Sequence, residues 1–246
     1  MTPIKTQIKR WLPKPVLRSI ANRRLNWDMH KSHGKTRAEI FSEIYAKKLW
    51  GSGDERFCSG TGSAEDIIGP YVGFVRSLIQ RERITRIVDL GCGDFQVGRL
   101  LAGPGVSYVG CDVCAELVRH NAELFGNDQT TFVHRDIVSD PLPDGELCLI
   151  RQVFQHLPNR DISAVLHKAR KYRLLLVSDE QVGNDNAAEN SDILPYHGTR
   201  RALGHGLKLE RAPFNIPVET VLTQAAGSDY SAQTGTWLRT VLIRNG

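Results

Sequence analysis

What the chain has little of narrows its class first. No run of apolar residues approaches the ~20 that a membrane-spanning helix needs, so no span is expected. The basic start of the chain is not followed by an apolar core and a small-residue cleavage site, so no secretory signal is expected. Five cysteines, Cys58, Cys92, Cys111, Cys114 and Cys148, are scattered and odd in number. That argues against a closed disulfide framework and for a reducing, cytoplasmic setting, with the inner face of a membrane as the peripheral alternative. Cys111-x-x-Cys114 has no second pair to complete a metal site, and Cys111 lies within an apolar stretch, so the pair reads as structural.

Acid is nearly missing from the first 37 residues, which hold ten Lys or Arg against Asp28 alone. The rest holds 22 basic and 26 acidic residues, so the body is mildly acidic and carries no large nucleic-acid footprint. In the arm, residues 1–35, Ile4, Ile8, Trp11 and Leu12 fall at helical spacing among lysines until Pro13 and Pro15 interrupt. Two readings stand for it. One is association with an anionic membrane surface or an acidic partner; the other is packing on its own domain or on a second subunit.

What is present is a chain of 246 residues with 41% hydrophobic and 24% charged residues, enough for one large α/β domain over residues 36–246. Its centre is the stretch Ile84–Asp94. A β-branched run ends in Asp89, then Gly91-Cys92-Gly93-Asp94, and a helix-like segment follows. This is the pattern of a buried strand entering a tight turn, with glycines that let backbone approach a ligand. Phosphate would want N–H groups and no acid at that turn. Asp89 and Asp94 suit a cationic ligand.

Before it, Thr36–Trp50 is expected to be a helix with a capping box from Thr36 and Glu39. A Ser59–Ser63 loop then enters a helix running to about Arg81, and residues 36–81 read as lid helices. After it, strands are expected over residues 106–112, 130–137, 146–150, 173–180, 218–224 and 237–244, with helices over 97–101, 115–125 and 161–171 between them. The expected fold is therefore doubly wound: a seven-stranded, mostly parallel, Rossmann-like sheet closed by a C-terminal antiparallel hairpin. Residues 207–217 read as extended, and the polar stretch 181–191 as a substrate lid.

Val88-Asp89-Leu90-Gly91-Cys92-Gly93-Asp94 resembles motif I of the class I S-adenosylmethionine-dependent methyltransferases. Phe95 stands where many members have a third glycine. The Cys-Gly-Asp-Phe variant resembles a subgroup of sugar and polysaccharide O-methyltransferases, of the methylmannose type among others. The resemblance covers about residues 38–246 and leaves out the arm. It implies a cofactor site made by Asp89, Gly91, Cys92, Gly93 and Asp94. Asp112 and Val113, 23 residues after Asp89, are implied at the ribose. Asp136 and Ile137 are implied at the adenine amino group and ring. Gly62 and Ser63 are candidate contacts for the methionine carboxylate. Arg151 and Gln152, counted among the cofactor contacts, stand where many members carry an acid.

For the transfer itself a base must take a proton from a poor nucleophile held in line with the methyl group. The sequence has no Asn-Pro-Pro-Tyr and no Pro-Cys, which favours an oxygen acceptor over base nitrogen or pyrimidine carbon. His156 and His197 follow expected strand ends and are the candidate bases, with His205 a weaker one and His134 read as structural. Asp179 and Glu180 are candidate catalytic acids and Mg²⁺ ligands, since Mg²⁺ takes oxygen donors. Arg200 and Arg201 are candidates for holding an anionic group or are simply solvated. The expected activity is O-methylation of a saccharide hydroxyl. The alternatives are a lipid or other small-molecule O-methyltransferase, and a cofactor-binding interaction protein without turnover.

Overall fold

The computed structural model describes residues 34–51, 56–60, 62, 65–183, 187–193, 199–226 and 235–245. Nearly all of the basic arm, Ser63 and His197 lie outside these residues. The strands are β1 (Arg86–Leu90), β2 (Ser107–Asp112), β3 (Thr130–His134), β4 (Leu147–Arg151), β5 (Leu174–Val182), β6 (Glu219–Ala225) and β7 (Thr236–Arg244). They form one sheet in the order β3-β2-β1-β4-β5-β7-β6. The first five are parallel to their neighbours, and β7 runs antiparallel between β5 and β6. The order reverses beside β1, between β2 and β4, which is where open α/β sheets place a crevice for ligands.

Apolar residues line both faces of the central strands because helices cover both faces. On one side Val88, Leu90, Cys148, Ile150, Leu175 and Val177 pack with Ile162, Val165 and Leu166 of α4 (Asn159–Ala169). On the other, Ile87, Leu147, Leu149, Leu174 and Leu176 pack with Tyr71, Val75 and Leu78 of α2 (Glu65–Glu82). α3 (Ala115–Phe125) connects β2 to β3. α1 (Arg37–Ala46) opens with the expected capping box: the Thr36 hydroxyl accepts from the Glu39 N–H at 3.2 Å, and the Glu39 carboxylate accepts from the Thr36 N–H at 2.7 Å. Among the described residues no helix is long and apolar enough to cross a membrane.

Four local expectations are corrected. α1 ends at Ala46, before Trp50, because Lys48 turns into the left-handed region at φ 50°. β3 ends at His134, so Asp136 and Ile137 lie in the turn beyond it. β5 runs on to Val182 because β7 pairs with it through Val182↔Thr236, which puts Asp179 and Glu180 inside a strand. Residues 207–217 form turns closed by the Arg211 N–H to the Lys208 carbonyl and the Phe214 N–H to the Arg211 carbonyl.

Phe95, in place of a third glycine, sits at φ 64°, a conformation that disfavours a side chain. Its buried ring offsets this by packing at 4.8 Å from Phe132 and 5.2 Å from both Tyr108 and Phe125. Losing such a ring costs about 3–5 kcal/mol, against about 1–3 kcal/mol of backbone strain. Phe95→Gly, which removes both, should lower stability by about 2 kcal/mol, and Phe95→Ala, which keeps the strain, by about 3–5 kcal/mol. Urea unfolding measures the difference; a glycine variant more stable than the parent would show that the ring does not offset the strain.

Candidate active site

One cavity of about 380 Å³ opens above the carboxyl ends of β1, β2 and β4. Its floor begins at the turn after β1. Gly91 at φ 83° and Gly93 at φ 56° lie in the left-handed region, and there is no room for a side chain at either. A Cβ at Gly91 would meet Val153 at 2.4 Å, and one at Gly93 would meet the Ser59 hydroxyl at 2.2 Å.

Two carboxylates are buried beside these glycines. Asp89 accepts from the Tyr108 hydroxyl, and burial, against the pull of that bond and of Arg151, pushes its pKa up to about 6. Asp112 accepts from the Gly93 N–H at 3.2 Å and the Cys114 N–H at 3.0 Å, yet burial still raises its pKa. Both line the cavity with Cys92 and Val113. Asp94 does not line it; its carboxylate accepts from the Ser59 N–H, and its own N–H donates to the Ser59 hydroxyl, both at 2.8 Å. The expected contact at Asp94 is thus a tie to the loop before α2.

A second tie to that loop comes from Arg151. Its guanidinium donates to the Gly62 carbonyl at 2.6 Å and stacks 5.2 Å from the Tyr71 ring centroid. Burial lowers its pKa, with Tyr71 and Asp89 opposing. Gln152, at φ 58°, packs against Gly62. Gly62, Arg151 and Gln152 all line the cavity.

At the next strand tip, Asp136 also reaches the cavity, as does Ile137. Arg37 of α1 donates from Nε to Asp136 Oδ1 and Oδ2, both at 3.0 Å, and from Nη2 to Oδ2 at 2.7 Å. Burial alone would raise the Asp136 pKa; the Arg37 bonds outweigh it and hold the carboxyl below its ordinary value.

The remaining wall is aromatic. His156 ends a short 3-10 turn after β4 and is buried, its ring 5.1 Å from Trp50 and 6.4 Å from Phe41. Gln155 joins this corner to β5: its N–H donates to Asp179 at 3.2 Å, its Oε1 accepts from the Glu180 N–H at 3.0 Å, and its amide lies 3.4 Å from His156 Nε2. Glu180 faces the cavity, accepting from Thr199 at 2.8 Å and Arg201 at 3.1 Å.

Asp179 is on the opposite face, since neighbours along a strand alternate. It is buried there, and burial raises its pKa well above the ordinary range. The two acids therefore do not converge on one ion, which corrects the expected Mg²⁺ pair. Among the described residues no group of three His, Cys, Asp or Glu is placed to hold a metal. His134 accords with its structural reading: its Nε2 lies 3.0 Å from the Val113 carbonyl. Arg37, Tyr71, Tyr108, Ser59, Phe41 and Trp50 belong to this site without having been expected in these roles. Phe41 was readable only as part of an apolar helix face, and Arg37 had no local signal.

Raised acid pKa values fix a sign. Asp89 keeps its proton in the folded state up to about 6, whereas an ordinary carboxyl loses it near 3.8. Its contribution to stability is present below about pH 4 and is lost, by up to about 3 kcal/mol, as pH rises through about 6. Asp89→Asn should lack this loss, so its stability relative to the parent should rise over that window in urea unfolding. A pH-independent difference would contradict the raised value.

Residues 87–173 match the family described as "Methyltransferase domain". No curated protein matches the chain. Among solved structures, the N-methyltransferase NodS from Bradyrhizobium japonicum WM9, in complex with S-adenosyl-L-homocysteine, is 11% identical with a TM-score of 0.55, covering 82% of this chain and 97% of its own. The N-terminal domain of EvdMO1 with S-adenosylhomocysteine bound is 17% identical with a TM-score of 0.52, covering 87% and 98%. Magnesium protoporphyrin IX methyltransferase from Synechocystis PCC 6803, with bound S-adenosylmethionine, is 16% identical with a TM-score of 0.50, covering 85% and 98%. The seven-stranded sheet is thus the fold of these methyltransferases, and residues 87–173 within it match a methyltransferase domain.

Proposed function

We propose that the protein transfers the methyl group of S-adenosylmethionine to a hydroxyl of a saccharide. The observation that carries this reading is the division of one cavity into two chemistries: buried acids beside glycines at one part, and a histidine against aromatic rings with a Glu–Arg pair at the other. The first part suits the cofactor. Asp89 and Asp112 offer negative charge to a sulfonium and acceptors to ribose hydroxyls, Gly91 and Gly93 leave room for close backbone approach, and Arg151 offers a cation for a carboxylate. Bound there, the cofactor supplies an electrophilic methyl group.

The second part suits a sugar. Trp50 and Phe41 offer flat apolar faces, and Glu180, Gln155, Thr199 and Arg201 offer the polar groups that fix a polyol's orientation. His156 is the residue we assign as base, because it alone among the described histidines lines the cavity. His197 is the second candidate. Asp179 and Glu180 face apart, so they do not form a shared Mg²⁺ site. A structure of the EvdMO1 N-terminal domain was determined in the presence of D-fucose, which supports a sugar acceptor by fold analogy alone. A lipid or other apolar acceptor is the second reading, favoured by half-exposed Leu49 on the cavity rim. In that reading the basic arm would hold the enzyme at an anionic surface.

A labelled-methyl assay over pooled saccharide and lipid acceptors, with and without EDTA, tests this. Turnover on saccharides, unchanged by EDTA, is expected; turnover on lipids alone would overturn the sugar reading. His156→Ala should lower kcat by about 10²–10⁴-fold while leaving cofactor affinity, by calorimetry, within about twofold. Loss of cofactor binding in step with turnover would remove His156 as base.

A further inference from the structure

Asp136 occupies the strand-tip position whose acid the resemblance aims at the adenine amino group, yet its carboxylate is already engaged. Oδ1 accepts from Arg37 Nε at 3.0 Å and from the Val138 N–H at 3.0 Å; Oδ2 accepts from Arg37 Nε at 3.0 Å and Nη2 at 2.7 Å. Nε has one hydrogen, shared between the two oxygens, so three donors fill most of the carboxylate's about four acceptor sites, and Arg37 already supplies the charge that an amino group would otherwise compete to meet. The third nitrogen of the same guanidinium, Nη1, donates to Asp161 at 2.9 Å. Asp161 is buried in the first turn of α4. Arg37 is the first residue of α1 and itself lines the cavity. One planar fork thus joins α1 to two acids 99 and 124 residues away, a geometry that Lys cannot reproduce.

What α1 carries gives the joint its consequence. Phe41 and Tyr45, on the same helix, line the cavity; Phe41 meets His156, and the Tyr45 hydroxyl lies 3.4 Å from that of Ser59. Fixing Arg37 therefore fixes the aromatic wall over both the glycine turn and the candidate base. We propose that Arg37 is a positioning residue that latches α1 across the cofactor cavity, and that Asp136 is its catch and does not read the adenine amino group. The proposal rests on the reading of the cavity as a cofactor site.

The test compares the full-length parent with Arg37→Ala, Arg37→Lys, Asp136→Asn and the Arg37→Ala/Asp136→Asn pair. Hydrogen exchange without ligand reads the latch directly. Amides of residues 37–46 should exchange faster in each variant, while those of β1 and β4 stay as in the parent. Calorimetry with S-adenosylhomocysteine, and with its analogue bearing purine in place of adenine, reads specificity. The latch predicts that Arg37→Ala and Asp136→Asn weaken both ligands alike, by about 10–100-fold. Arg37→Lys should recover only part of this. The double variant should be no weaker than the worse single one, because both changes break the same joint.

A selective loss in Asp136→Asn, with the preference for adenine over purine falling about tenfold and α1 exchange unchanged, would overturn the proposal. So would faster exchange across the whole sheet, which would mark Arg37 as merely structural. If the parent binds neither ligand, the cofactor reading fails and the positioning role for Arg37 falls with it. Exchange of α1 in the unliganded variants still decides whether the joint holds the helix.

Discussion

The site depends on two carboxylates taken out of water at neighbouring strand tips. β1 and β2 pair in register, Asp89 opposite Gly110 and Leu90 opposite Cys111, which brings Asp89 and Asp112 beside the same glycine turn. Burying ionised carboxylates is unfavourable unless hydrogen bonds or a counter-charge offset it. Here the offset is incomplete: a tyrosine hydroxyl, a few backbone N–H groups and Arg151 do not prevent either pKa from being raised. A pocket of this kind is electrostatically suited to a cation. A ligand bearing a sulfonium and ribose hydroxyls relieves the same unfavourable burial that the fold imposes, so affinity and charge selectivity come from one source.

Around that floor the region before β1 is tied down at three points, each to a residue at or just beyond the end of a strand. Asp94 meets Ser59, Arg151 meets the Gly62 carbonyl, and Arg37 meets Asp136. The ties sit at three tips of the sheet's ligand edge, those of β3, β1 and β4, with the β2 tip between the first two. Residues with a cofactor role by resemblance, Asp94, Arg151 and Asp136, are those that hold that region. Of the three, Arg151 and Asp136 line the cavity while making these ties, and Asp94 makes its tie outside it.

The parts of this arrangement that were legible in the sequence are those governed by local rules. Apolar runs marked β1, β2 and β4 within a residue or two, the first two ending in acid or glycine, and Ala115–Phe125 was read to the residue. Capping chemistry located the start of α1. What escaped was set by partners distant in the chain. β5 outran its expected end because β7 supplies hydrogen bonds to Val182, and that moved Asp179 and Glu180 from a tip into a strand where they face apart. Arg37 looked like one more charge of a basic arm, because its partners lie a hundred residues on. Phe95 read as a departure from a glycine motif; only the three rings around it explain how the position tolerates a side chain.

The displaced pair of acids still shapes the acceptor end, through Gln155. A residue inside a single 3-10 turn has little of its own to fix it. Gln155 is held by its N–H on Asp179, from one face of β5, and by the Glu180 N–H on its side-chain oxygen. His156 follows directly and is closed in by Trp50 and Phe41. The buried Asp179 is thus an anchor whose effect reaches the cavity one residue away, while Glu180 presents its carboxylate to the cavity beside Arg201. Two adjacent acids that face apart on a strand do not share one ligand, but they can set His156, the proposed base, from below and bound the proposed acceptor end from the side. That division gives the pair a place in the chemistry without asking either residue to hold a metal.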